Sequence, residues 1–127
     1  MGNRVLICDD ETPVRELFSD LLKKQLCDVA TCMSGEEALD IVTKETFDVV
    51  LLDIKLGGMS GLETLKKIKD TKPETIVIMI TGFGYDEQLI SKCKEYGCSG
   101  YIGKNMPISQ IISNFKLFVK SAKEKTA

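Results

Sequence analysis

Histidine and tryptophan are absent from this chain, and proline occurs three times. Without histidine there is no imidazole to carry a phosphoryl group, so a histidine phosphocarrier is excluded and any phosphoryl intermediate needs another seat. No apolar run approaches the roughly 20 residues that span a bilayer. Val5 to Cys8 is too short, and too closely followed by acid, to form the core of a secretory signal. We therefore expect no membrane segment, no export and a cytoplasmic location. An excess of base is missing too: 17 Lys and Arg against 19 Asp and Glu leave a net charge of −2, which argues against direct nucleic-acid binding by phosphate neutralisation.

Nucleotide-binding glycine motifs are also lacking. Neither G-x-G-x-x-G nor G-x-x-x-x-G-K-[ST] occurs, and Gly103-Lys104 is a near miss, with Cys98 where the first Gly belongs and Asn105 where Ser or Thr belongs. The D-x-D-x-T pattern of haloacid-dehalogenase-like phosphatases is absent as well. Five cysteines, Cys8, Cys27, Cys32, Cys93 and Cys98, are odd in number and contain no C-x-x-C pair, so they read as reduced, small, buried hydrophobes.

What is present is a chain of 127 residues, 43% hydrophobic and 28% charged, enough for one domain with its own core. Arg4 to Cys8, Asp48 to Leu52 and Thr75 to Ile80 are short runs rich in Val, Ile and Leu, the pattern of strands buried on both faces. Asp28 to Cys32 and Ser99 to Ile102 are weaker strand candidates toward the edges. Helical spacing fills the intervals. The first helix has Pro13 in its first turn and Val14, Leu17, Phe18, Leu21 and Leu22 on one face. Ser34 with Glu37, and Ser60 with Glu63, form S-x-x-E capping boxes for the second and third. A fourth helix runs from about Asp86 to Tyr96, turning Leu89, Ile90 and Cys93 inward and stopping at Gly97. The fifth follows Pro107, with Ile108, Ile111, Ile112, Phe115, Val119 and Ala122 inward; the Lys-rich end, about residues 121–127, is expected to fray.

Five alternating strand–helix units indicate an α/β fold: a doubly wound parallel sheet of five strands in the order 2-1-3-4-5, flavodoxin-like, occupying residues 1–127 as a single domain. In that order the ligand crevice opens at the carboxyl ends of strands 1 and 3, which carry Asp9, Asp10 and Asp53. Two like charges ~4 Å apart repel by about 4 kcal/mol at an effective dielectric of 20. A hard divalent cation relieves this, and Mg²⁺ suits a site with one or two carboxylates plus phosphate oxygens. Asp10 and Asp53 are candidate direct ligands, with Asp9 either a ligand or the holder of a coordinated water. Thr81, followed by Gly82, offers a hydroxyl after strand 4, and Lys104 offers a point charge after strand 5.

Read together, these positions resemble a response-regulator receiver domain along nearly the whole chain. The resemblance is carried by C-D-D-E at Cys8 to Glu11, D-I-K-L-G-G-M-S-G-L-E from Asp53 to Glu63, I-T-G at Ile80 to Gly82, and Y-I-G-K at Tyr101 to Lys104. It implies that Asp53 accepts a phosphoryl group from a sensor histidine kinase or histidine phosphotransfer protein, forming an acyl phosphate in a two-component or phosphorelay system. It further implies that Asp9, Asp10, Asp53 and the main-chain carbonyl of Lys55 hold Mg²⁺, with Mn²⁺ able to substitute. Thr81 and Lys104 would bind the phosphoryl oxygens, and Tyr101 would report the switch by changing rotamer. Such a domain assists only its own phosphorylation and dephosphorylation, so no separate enzymatic activity is expected.

Two departures from the family pattern stand out. Gly57, followed by Gly58, replaces a proline four residues after Asp53, which predicts a more flexible loop. Asn105 replaces the proline after Lys104, and a cis bond before a non-proline residue costs about 2.5–4 kcal/mol. Lys55 and Phe83 flank the site and are expected to tune water access. If the output face of helix 4, strand 5 and helix 5 is preserved, it places Leu117 on a surface for a partner or a second copy of the chain.

Overall fold

The computed structural model describes residues 3–82 and 87–126. Its elements are β1 (Arg4–Cys8), α1 (Thr12–Lys24), β2 (Asp28–Cys32), α2 (Gly35–Lys44), β3 (Val49–Asp53), α3 (Gly61–Thr71), β4 (Ile76–Thr81), α4 (Glu87–Glu95), β5 (Gly100–Gly103) and α5 (Ile108–Thr126). All strand pairs are parallel and the order is β2-β1-β3-β4-β5, the expected doubly wound, flavodoxin-like sheet. The expected start of the fourth helix at Asp86 falls outside the described residues. Among the described residues no helix is long and apolar enough to cross a membrane.

Alternation along the central strands splits the apolar residues between two faces. Val5, Ile7, Leu51 and Ile78 pack with Phe18, Leu22 and Phe115 of α1 and α5. Leu6, Cys8, Val50, Leu52 and Met79 pack with Leu65, Ile68 and Cys93 of α3 and α4. Every residue of β3 is buried, so its only polar side chain, Asp53, is held at the strand's end by an apolar sandwich.

Local details depart from expectation in instructive ways. β3 and β4 each begin and end one residue later than expected, so Asp53 and Thr81 are the last residues of their strands and not the first of the loops. Both capping serines accept a hydrogen bond from the N–H three residues on, Ser34 Oγ from Glu37 at 3.1 Å and Ser60 Oγ from Glu63 at 3.2 Å. The reciprocal halves differ: Glu37 accepts from the Met33 N–H, and Glu63 pairs with Lys67 instead. Leu17 on α1 and Ile108 on α5 are 37% and 52% exposed, at the margins of faces whose centres are Phe18 and Ile111. Phe118, absent from the expected stripe, lies over β5 because Gly100 leaves room; a Cβ there would come within 2.6 Å of its ring.

The stretch expected to fray, 121–126, continues α5. Ala122 packs against the core, and Lys123 Nζ donates to Asn3 Oδ1 at 2.7 Å, which ties the last turns to the chain's beginning.

Candidate functional site

The carboxyl ends of β1, β3, β4 and β5 bring Asp9, Asp53, Thr81 and Lys104 to one rim of the sheet. Asp9 follows β1 directly; its N–H donates to Cys32 O, and its Oδ1 accepts from the Glu11 N–H at 2.8 Å. Arg15 Nη1 donates to the Asp9 carbonyl at 2.7 Å, which pins the turn into α1. Asp53 Oδ1 accepts from the Lys55 N–H at 3.2 Å, and its neighbour Ile54 donates to Ile80 O across to β4. α3 begins immediately beside this strand end because residue 61 is glycine: a Cβ there would lie 2.1 Å from the Asp53 carbonyl oxygen.

Lys104 Nζ is the hub of the site. It stands 2.8 Å from Glu11 Oε1, 2.9 Å from Asp9 Oδ2 and 3.1 Å from Asp53 Oδ2. Asp9 Oδ2 is buried and forms no hydrogen bond, so its contact with Lys104 is an ion pair without directional bonding. The Lys104 N–H donates to the Thr81 carbonyl at 2.8 Å, and its stem runs past Gly82, where a Cβ would come within 3.3 Å. No described peptide bond is cis, and the Lys104 side chain enters the site from a trans backbone.

The electrostatics follow from burial. Asp9 is fully buried and Asp53 is 3% exposed. Desolvation, reinforced by the Asp9 charge and opposed by Lys104 and the Lys55 N–H, pushes the Asp53 carboxyl up to about 6. Burial pulls the Lys104 ammonium down, but the surrounding carboxylates of Glu11, Asp9 and Asp53 outweigh it and hold the ammonium above its ordinary value. At neutral pH the site therefore contains an ionised Asp53 and a firmly charged Lys104. Oxygens of Asp9, Asp10, Glu11 and Asp53 all lie within 4.8 Å of one another. That all-oxygen set, including a buried carboxylate oxygen without a hydrogen bond, fits a hard divalent cation.

Other expected positions lie nearby. Lys55 is exposed at the rim, and Tyr101 is half-buried, packed against the apolar cluster shared with α4. Gly58 takes φ +72, a conformation that favours glycine, and the adjoining Met59 N–H donates to Glu36. Phe83 is outside the described residues. Leu117 is 59% exposed on α5. Glu11 is the residue whose part in the site the sequence reading missed. Its only signal was its place in C-D-D-E, since nothing in the sequence shows that it reaches a lysine 93 positions away.

Comparison with known proteins places the chain in a family. The family model of the response regulator receiver domain matches residues 5–116. Sporulation initiation phosphotransferase F of Bacillus subtilis is 35% identical over 119 residues, covering 94% of this chain and 95% of that protein. Among solved structures, a response regulator receiver domain protein (CheY-like) of Methanospirillum hungatei superposes with a TM-score of 0.90 at 26% identity, covering 98% of this chain and 99% of that one. NtrX of Brucella abortus superposes at 0.91 with 27% identity, covering 99% of this chain but 29% of that longer one. The chain belongs to the response regulator receiver domain family, the regulatory phosphoacceptor module of two-component signalling.

Proposed function

We propose that the chain is a phosphorylation switch that takes a phosphoryl group onto Asp53 from a phosphohistidine of a sensor histidine kinase or histidine phosphotransfer protein. The observation that carries this reading is the buried Asp53 carboxylate at the end of the central strand, 3.1 Å from Lys104 and beside the Asp9 and Asp10 acids. Asp53 Oδ attacks phosphorus, the phosphorus–nitrogen bond of the donor breaks, and an acyl phosphate forms. Asp9, Asp10, Asp53 and the Lys55 carbonyl would hold Mg²⁺, or Mn²⁺ in its place, and a bound cation supplies charge neutralisation for the incoming phosphoryl group. The Lys104 ammonium, shared among Glu11, Asp9 and Asp53, pairs with a phosphoryl oxygen, and the Thr81 hydroxyl donates to another.

Tyr101 then reports the change by its rotamer, and the face built from α4, β5 and α5, with Leu117 on it, binds an output partner or a second copy. Phosphorylation shifts this equilibrium only by its different interaction energy with the two states. On this reading the chain has no separate enzymatic activity and works in the cytoplasm. Intact mass after incubation with acetyl phosphate tests the core of it. A single phosphoryl adduct that needs Mg²⁺ and is lost in Asp53→Ala supports the assignment; an adduct that survives in Asp53→Ala overturns it.

A further inference from the structure

The C-terminus of α4 closes in a turn that brings two cysteine side chains together. The Cys98 N–H donates to the Cys93 carbonyl at 3.0 Å, the Gly97 N–H donates to the Lys94 carbonyl at 3.0 Å, and Gly97 takes φ +101. In this helix stop the side chain after the left-handed residue folds back onto the one five positions earlier, normally as an apolar contact. α1 ends the same way: the Cys27 N–H donates to Leu22 O, the Leu26 N–H donates to Lys23 O, and Leu26 takes φ +65. There a thiol meets a leucine. At α4 both positions are cysteines, and Cys98 packs against the buried cluster that holds Cys93.

The two members differ in access. Cys93 is 1% exposed, whereas Cys98 is part-exposed and lines a surface cavity of about 470 Å³ with Lys94, Gly97 and Ser99. We propose that Cys93 and Cys98 form a peroxide-responsive dithiol, with Cys98 the attacking sulfur and Cys93 the resolving one. Cys98 sulfur attacks one oxygen of hydrogen peroxide, the oxygen–oxygen bond breaks, and a sulfenic acid and water form once the thiol proton is taken up. Cys93 sulfur then attacks that sulfur, and hydroxide leaves with the Cys93 proton as a second water. Two thiols are oxidised to one disulfide as the peroxide is reduced.

Charge supports this division of labour. The neighbouring Cys93 thiol, with Lys94 and Lys69, holds the Cys98 thiol below its ordinary value, while Cys98 and burial hold Cys93 above its own. Cys27, part-exposed and without a thiol partner, is held up by burial. Cys8 and Cys32 also stand opposite one another across β1 and β2, but both are buried in the core and donate to the Ser34 carbonyl, and the Cys32 thiol and burial hold Cys8 in its protonated form.

The test treats the reduced full chain with hydrogen peroxide, blocks remaining thiols and cleaves after lysine, which separates Cys93 from Cys98 at Lys94. Cross-linked peptides joining these cysteines within one chain, and oxidation of Cys98 about tenfold faster than Cys27, are expected. In Cys93→Ala the Cys98 sulfenic acid should persist and be trapped by a cyclic dione, whereas Cys98→Ala should leave Cys93 unoxidised. Circular dichroism of both variants confirms that they remain folded. Equal rates at Cys27 and Cys98, or a parent chain that loses Cys98 to sulfinic acid without the link, would overturn the proposal.

Discussion

Asp53 is stored at a cost to the fold. Its carboxyl binds a proton up to about pH 6 in the folded chain but only to about 3.8 when unfolded. This group's contribution to stability is therefore fully present below pH 3.8 and is lost as the pH rises through 6, by up to about 3 kcal/mol at neutrality. Asp53→Asn in cation-free buffer is expected to raise the urea midpoint at pH 7.5 by the equivalent of about 1–3 kcal/mol, the lost Lys104 contact offsetting part of the gain. Below pH 4 the two chains should converge; a constant difference across pH would show that packing, not ionisation, sets it. The acids and Lys104 were legible because each stands at the end of a strand or just beyond it. Glu11 was not, because its contact with Lys104 depends on where β5 lies in the sheet.

At the scale of elements, helix ends carry more of the design than their interiors. α1 stops with Leu26 at φ +65 and 81% exposed, so a bulky side chain adopts the left-handed region that glycine normally fills. Leu26→Gly should stabilise the chain by about 1 kcal/mol, read as a rise in denaturation midpoint with unchanged slope. A loss would mean that the strain is relieved elsewhere. The Ser34 and Ser60 caps were readable as short motifs, whereas the partners of Glu37 and Glu63 were set by which neighbour lay nearer. The tie near the end of α5 left no local signal for a related reason: Lys123 donates to Asn3, 120 positions away.

For the whole molecule, the strand order was predictable because buried apolar runs alternating with amphipathic helices admit few right-handed arrangements. The placement of Phe118 over Gly100 depends on packing between distant segments and left no local periodicity to read. Because carboxylates crowd one rim, Mg²⁺ at ~100-fold above its dissociation constant should stabilise the native chain by about 2.7 kcal/mol. A chelator should reverse the rise in Tm, and Asp10→Asn should weaken it; equal rises in parent and variant would place the cation elsewhere. The Lys104 contacts have a further consequence for biogenesis. As the chain leaves the ribosome, β1 and β3 emerge with their acids well before residue 104, which lies 51 positions after Asp53. A chain folded up to β4 carries that repulsion unaided, so the carboxylate cluster gains its lysine last, and a chain cut before β5 has Asp9 and Asp53 without their counter-ion.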